Sequence, residues 1–74
     1  MLRVAVIGAG QGGYRVLTVL SRLPEVEVVG VVDRNDEAPG LMLARDLGIP
    51  TGWDIGLVLR QPNLDLVSNP TLTA

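Results

Sequence analysis

Three glycines near the start of the chain have a spacing that suits phosphate binding. Gly8, Gly10 and Gly13 form the pattern G-x-G-x-x-G. The first glycine of such a turn permits a sharp reversal, the second lets the backbone approach an anion, and the third allows close packing behind the turn. A helix that begins in the turn directs free N–H groups and the positive end of its dipole at the anion. We therefore predict pyrophosphate contacts for Gly8, Gly10, Gln11, Gly12 and Gly13.

The second group with a chemical role is the carboxylate of Asp33, 20 residues after Gly13. In dinucleotide-binding units an acid about 20 residues beyond the last glycine accepts hydrogen bonds from the ribose hydroxyls. Asp33 would repel a 2′-phosphate, so it favours NAD over NADP as the cofactor. The adjacent Arg34 could stack on adenine or pair with a 2′-phosphate, and it could equally be a solvated loop charge. Flavin and S-adenosylmethionine sites also use similar glycine turns.

The segments around these residues predict the strand–helix–strand unit that the motif requires. Leu2–Ile7 and Val26–Val32 are predicted as buried parallel strands, because both are continuous and rich in β-branched residues. Between them we predict a helix from about Gly10 or Gln11 to Leu23, with Gly13 within its apolar face.

The second half of the chain predicts shorter elements, bounded by glycine, proline and aspartate. They are a helix from Pro39 to Leu47 stopped by Gly48, a short strand over Ile49–Thr51, a brief helix from Ile55 to Arg60 with Asp54 as its N-cap, and a strand over Asp65–Ser68. Right-handed crossovers then give the parallel strand order 3-2-1-4. The predicted fold is α/β, a half-Rossmann with a four-stranded parallel sheet flanked by helices. Its ligand should lie at the carboxyl ends of strands 1 and 4.

Length and composition exclude several other kinds of function. The 74 residues suit one partial dinucleotide-binding domain over residues 1–74, since a complete fold needs two such halves. Cysteine and histidine are absent, which excludes thiol chemistry and removes the commonest general base and metal ligand. A net charge of −2 without lysine argues against nucleic-acid or anionic-membrane partners. No apolar run approaches a membrane span of about 20 residues, and we expect a cytoplasmic protein.

Four stretches resemble the N-terminal NAD(P)-binding domain of the glucose–fructose oxidoreductase and inositol dehydrogenase-like family. They are Val4–Gly10, Leu23–Arg34, Ala44–Pro50 and Leu64–Val67. The resemblance implies a Rossmann domain of a nicotinamide-dependent oxidoreductase. The family's Thr-Pro segment after strand 4 is replaced here by Ser68-Asn69-Pro70-Thr71, and its catalytic lysine has no counterpart because the chain contains no lysine. We therefore expect the cofactor-binding part of an enzyme, without its catalytic residues.

Two alternatives remain at this stage. The Gly12-Gly13 pair and the Ala38-Pro39-Gly40 step resemble Rossmann-like modules at the N-terminus of some bacterial signalling proteins, which implies a non-catalytic NAD(H)-sensing role. The irregular tail after Ser68 would also suit a truncated product without a function.

Two structural expectations complete the sequence analysis. Strand 4 would pair on its outer side with a further strand that this chain does not contain, so its edge over Asp65–Ser68 is predicted to promote self-association. Tyr14 and Trp53 are the only aromatic residues, and both are expected to serve mainly in packing.

Overall fold

The sheet contains every strand of the chain that the structure describes. The structure is a computed structural model, and it describes residues 1–56 and 60–69. Its elements in chain order are β1 (Leu2–Ile7), α1 (Gln11–Leu20), β2 (Val26–Val32), α2 (Pro39–Asp46), β3 (Thr51–Gly52) and β4 (Leu66–Ser68). All strand pairs are parallel and the order is β3-β2-β1-β4. The predicted α/β fold and the predicted bounds of β1 and β2 are confirmed.

Both helices pack on one face of the sheet. Leu17 of α1 and Leu41 of α2 are fully buried against Val6 and Val31 of the two central strands. Full burial of a leucine side chain stabilises the folded state by roughly 1.5–3 kcal/mol. This packing fixes the start of each helix relative to the carboxyl ends of β1 and β2, where the site is predicted.

The strand β2 contains an irregularity that the sequence analysis did not predict. Val4 pairs with Val28 but Ala5 pairs with Gly30, so Val29 is an extra residue relative to β1. As a result Val28 and Val31, three residues apart, both pack on the face of the sheet that α1 and α2 cover. Without the extra residue their side chains would point to opposite faces of the sheet.

Helix α1 ends at Leu20, so the prediction that it continues to Leu23 is wrong. The N–H groups of Arg22 and Leu23 donate to the carbonyl oxygens of Val19 and Leu20, each three residues back. Bonds of this span form the tighter 3₁₀ geometry that often ends a helix. The chain therefore turns towards β2 before Leu23 is reached.

The end of α2 agrees closely with its prediction. Gly48 has φ +75°, the left-handed conformation expected of a stop glycine. The N–H of Ile49 donates to the carbonyl oxygen of Ala44 at 2.8 Å, which is the bond of a Schellman motif. The helix itself ends at Asp46, one residue before the predicted Leu47, which is within the usual variation of helix ends.

The two short strands differ from their predicted bounds. The strand β3 covers Thr51–Gly52 instead of Ile49–Thr51, and the N–H of Ile49 is used by the hydrogen bond that ends α2. The strand β4 begins at Leu66 and not at Asp65. The Asp65 carboxylate accepts a hydrogen bond from the N–H of Arg3 at 2.8 Å, so this residue ties the entry of β4 to β1.

The third predicted helix lies partly outside the described residues. Ile55 and Gly56 are helical, and the Asp54 side chain accepts a hydrogen bond from the N–H of Gly56 at 2.9 Å, as an N-cap does. Residues 57–59 of that prediction, and residues 70–74 of the tail, lie outside the described part of the chain. No helix in the described part is long and apolar enough to cross a membrane.

Candidate functional site

The glycine turn begins where β1 ends. The N–H of Gly8 donates to the carbonyl oxygen of Val32 at 2.8 Å, which continues the pairing of the two central strands. Gly8 then has φ +95°, a conformation that residues with side chains rarely adopt. A Cβ atom on Gly13 would overlap the carbonyl oxygen of Gly8, so α1 can pack this closely only with a glycine there. Both glycines are therefore required by the shape of the turn itself.

Gly10 is different, because a Cβ atom built on it meets nothing within 4 Å. It is exposed and forms the N-cap of α1 without a side-chain hydrogen bond, and the first turn of the helix contains no acidic residue. The N–H of Tyr14 makes the first helical bond, to the carbonyl oxygen of Gly10. The preceding N–H groups at a helix start have no helical acceptor and suit an anion. Open space beside these donors fits a phosphate group.

Asp33 joins the end of β2 to the glycine turn. One of its carboxylate oxygens accepts a hydrogen bond from the N–H of Ala9 at 2.7 Å, and the other accepts from the N–H of Asn35 at 2.8 Å. A carboxylate offers about four acceptor positions, so roughly two remain for the hydroxyls of a ribose. The side chain is half-buried and oriented by two backbone donors, which prepares it for a ligand at the turn.

The backbone of Ala9 is also held by α2, through its carbonyl oxygen. The N–H of Gly40 donates to the carbonyl oxygen of Ala9 at 2.7 Å. A Cβ atom on Gly40 would lie 2.8 Å from that oxygen and 2.9 Å from the Ala9 Cβ, closer than real contacts allow. No structural role was predicted for Gly40, because its close approach to Ala9 arises only from the packing of α2 against the turn.

An open cleft of about 950 Å³ lies at the carboxyl ends of the strands. It is lined by residues that end or follow the four strands: Ile7, Gly8, Val32, Asp33, Arg34, Trp53, Asp54, Ile55 and Asn69. Of the predicted site residues, Gly8, Asp33 and the exposed Arg34 line the cleft, whereas Gly10, Gln11, Gly12 and Gly13 lie outside its lining at the start of α1. The cleft reaches the ends of strands 1 and 4, where the ligand is predicted, and extends over the ends of β2 and β3.

The expectation that both aromatic residues serve mainly in packing is wrong for Trp53. Its side chain is 70% exposed and lines the cleft, and Tyr14 on α1 is 41% exposed. Within the described residues, the buried side-chain oxygen of Asn69 has no hydrogen-bond partner. An acceptor of this kind beside a cleft is a group that a bound molecule or water can satisfy.

A parallel sheet in this order, a glycine turn on a helix start and an acid after β2 define a dinucleotide-binding Rossmann domain. A model of the oxidoreductase family with an NAD-binding Rossmann fold matches residues 2–71. The chain therefore belongs to this family of NAD(P)-binding oxidoreductases, and the resemblance seen in the sequence is confirmed. A search of curated proteins finds no relative that matches the chain.

Proposed function

We propose that this chain binds the ADP portion of a nicotinamide dinucleotide and prefers NAD to NADP. The observation that carries this proposal is the Asp33 carboxylate, which lines the cleft while it accepts a hydrogen bond from the glycine turn. In this proposal the Asp33 side chain thus lies next to both the ribose and the pyrophosphate of the cofactor. Its negative charge favours a ribose with free hydroxyls over one that carries a 2′-phosphate.

In this proposal the glycine turn and the start of α1 hold the pyrophosphate. Gly8 shapes the turn, and Gly10 leaves room for a phosphate oxygen beside the backbone. The N–H groups of Gln11, Gly12 and Gly13 face the phosphates at the positive end of the helix dipole. Arg34, exposed at the cleft, either covers the adenine or stays in solvent when NAD is bound.

We further propose that this domain serves an NAD(P)-dependent dehydrogenase as its cofactor-binding part. The nicotinamide ring supplies hydride transfer when the cofactor is bound. The residues of this chain bind and orient its ADP half, and the substrate domain and proton-transferring residue belong to other parts of the enzyme. The family supports this role. A coding sequence that continues into a kinase or transcriptional output domain would instead favour the NAD(H)-sensing alternative.

The binding proposal is tested by calorimetric titration of the chain with NAD, NADP, ADP and nicotinamide mononucleotide. We expect NAD and ADP to bind, NADP to bind more weakly, and the mononucleotide, which lacks the ADP portion, to bind weakly or not at all. Asp33→Asn removes the charge and should weaken NAD by roughly tenfold, because charge-assisted hydrogen bonds are each worth about 1.5–3 kcal/mol. Asp46→Asn, the same change at an exposed position at the end of α2, should leave the affinity unchanged.

Failure of NAD and ADP to bind would contradict the proposed function. Equal affinities of the parent and of Asp33→Asn would contradict the role of Asp33 while leaving cofactor binding intact.

We also propose that the isolated chain associates with itself through β4. Among the described residues β4 pairs only with β1, and Leu66 and Val67 on it are 51% and 36% exposed. The backbone groups along such an edge, together with exposed apolar side chains, favour pairing with another strand. Light scattering over a range of protein concentrations tests this proposal, and a chain that stays monomeric throughout would contradict it.

A further inference from the structure

Trp53 is the largest side chain in the cleft, and it is 70% exposed. Single exposed apolar residues on a convex surface need no explanation. Trp53 instead forms part of the wall of a concave site, next to residues that we assign to cofactor binding. Its flat apolar ring is therefore presented to whatever enters the cleft.

The backbone on both sides of Trp53 is fixed by hydrogen bonds. On one side, the N–H of Asp33 donates to the carbonyl oxygen of Gly52 at 3.0 Å, so the residue before Trp53 is joined to the proposed ribose ligand. On the other side, the Asp54 side chain accepts from the N–H of Gly56 at 2.9 Å and starts a helical turn. The backbone of Trp53 is thus held near Asp33 by the fold, and its side chain lines the same cleft.

We propose that Trp53 is the platform on which the adenine base of the dinucleotide stacks. This inference rests on the proposed function. Adenine is bonded directly to the ribose that Asp33 would hold, so the base must lie in the same cleft. Trp53 is the only aromatic side chain in the cleft lining, and Ile55, 45% exposed, extends the same apolar wall. Arg34, which follows Asp33, supplies a planar cation that can cover a stacked base.

Stacking of a base on an aromatic side chain gives a defined expectation for affinity. Removal of such an aromatic ring weakens binding by roughly five- to hundredfold per stacked base. The effect should appear with every ligand that contains adenine and with none that lacks it. It should also depend on aromaticity, so that Trp53→Phe retains most of the affinity that Trp53→Ala loses.

The experiment uses the fluorescence of Trp53, the only tryptophan in the chain. Excitation at the red edge of the indole band avoids Tyr14 and most absorption by adenine. NAD, ADP-ribose and ADP should each quench the emission to saturation, whereas nicotinamide mononucleotide should not. Calorimetry with ADP then compares the parent with Trp53→Phe and Trp53→Ala. The control is Tyr14→Ala, which removes the other aromatic ring of the chain at a position that does not line the cleft.

The outcomes separate this inference from the proposed function. Suppose that the ADP affinity of Trp53→Ala is within about twofold of the parent's, while Asp33→Asn has lost affinity. The stacking of adenine on Trp53 is then contradicted, and the proposed dinucleotide site is retained. If the mononucleotide quenches to saturation at concentrations as low as those of ADP, and not merely in linear collisional fashion, the indole does not face the adenine. If the parent binds neither NAD nor ADP, the proposed function itself fails. An emission change that follows protein concentration instead of ligand would assign Trp53 to an interface between two copies of the chain.

Discussion

The carboxylate of Asp33 accepts a hydrogen bond from the N–H of Ala9 at 2.7 Å, across 24 residues of sequence. The acid that closes β2 therefore holds the turn that follows β1, in addition to any bond that it makes to a ribose. Because the carbonyl oxygen of Ala9 accepts a hydrogen bond from the N–H of Gly40, the same residue also joins the turn to α2. The shape of the proposed phosphate site thus depends on residues that need not contact phosphate.

The first prediction concerns the choice of cofactor by Asp33. Asp33→Ser should weaken NAD by roughly tenfold or more, because charge-assisted bonds to the ribose hydroxyls are lost. The ratio of NADP to NAD affinity should rise, since the repulsion of a 2′-phosphate is removed and Arg34 can pair with it. The NADP affinity of the variant should fall more steeply with salt than the NAD affinity of the parent, because the new contact is ionic. Titrations at two salt concentrations measure both effects.

The same variant should also lose stability, since the N–H groups of Ala9 and Asn35 lose their acceptors. We expect the free energy of unfolding to fall by about 1–3 kcal/mol. Asp46→Ser, at an exposed position, should change neither property. An unchanged preference between NAD and NADP in Asp33→Ser would show that Asp33 is not the ribose ligand.

The second prediction separates two roles within the glycine turn. Gly13→Ala should destabilise the fold by several kcal/mol, because its Cβ would overlap the backbone of Gly8 and neither can move far. Gly10→Ala should leave the stability nearly unchanged, since its Cβ would meet no other atom within 4 Å. It should greatly reduce the affinity for NAD, because a phosphate occupies that space in the proposed site. Thermal unfolding measures the first effect and calorimetry the second.

Gly12→Ala is the control for this pair, because Gly12 is an exposed residue at an x position of the motif. It should be tolerated better than Gly10→Ala in NAD affinity. A larger loss at Gly12 than at Gly10 would overturn the assigned roles of the residues around the turn.

Much of the fold was predictable because local signals agree with one another. The β-branched runs of β1 and β2, the glycine spacing and the left-handed Gly48 each act within a few residues of sequence. Consistent local signals of this kind specify a fold strongly. The parallel strand order, which the structure confirms, then follows from the handedness of crossovers.

Two of the features that were missed depend on contacts between distant segments, and a third had a local signal. The need for glycine at Gly40 arises only because α2 approaches Ala9 within a hydrogen-bond distance. The position of Trp53 depends on the hydrogen bond between the N–H of Asp33 and the last residue of β3, and no local sequence pattern specifies that bond. The extra residue at Val29 had a usable signal in Gly30, since a glycine inside a strand often marks a bulge.

The third prediction tests the link between α2 and the turn. Alanine is intrinsically better than glycine in a helix by about 1 kcal/mol, so Gly40→Ala would stabilise a free helix. Here its Cβ would lie within 2.8 Å of the Ala9 backbone, and overpacking of this kind typically costs roughly 1–3 kcal/mol. We expect lower stability and weaker NAD binding, although Gly40 does not line the cleft.

Thermal unfolding and calorimetry on Gly40→Ala check this expectation. Met42→Ala on the same helix, at a side chain 57% exposed, serves as the control and should alter neither quantity appreciably. Reduced stability with unchanged NAD affinity would show that a displacement of α2 does not alter the glycine turn enough to affect NAD binding.

The last prediction concerns the edge of β4. The isolated chain should form oligomers in the micromolar to millimolar range, because β4 pairs on one side only within the described residues and exposes Leu66 and Val67. Light scattering over this range measures the mass. A charged residue on an edge strand opposes pairing with another chain, so Leu66→Lys should shift the protein towards monomer. Met42→Lys introduces the same charge at an exposed position on α2 and should leave the mass distribution unchanged. A parent chain that stays monomeric throughout, or an equal shift in both lysine variants, would exclude β4 as the interface.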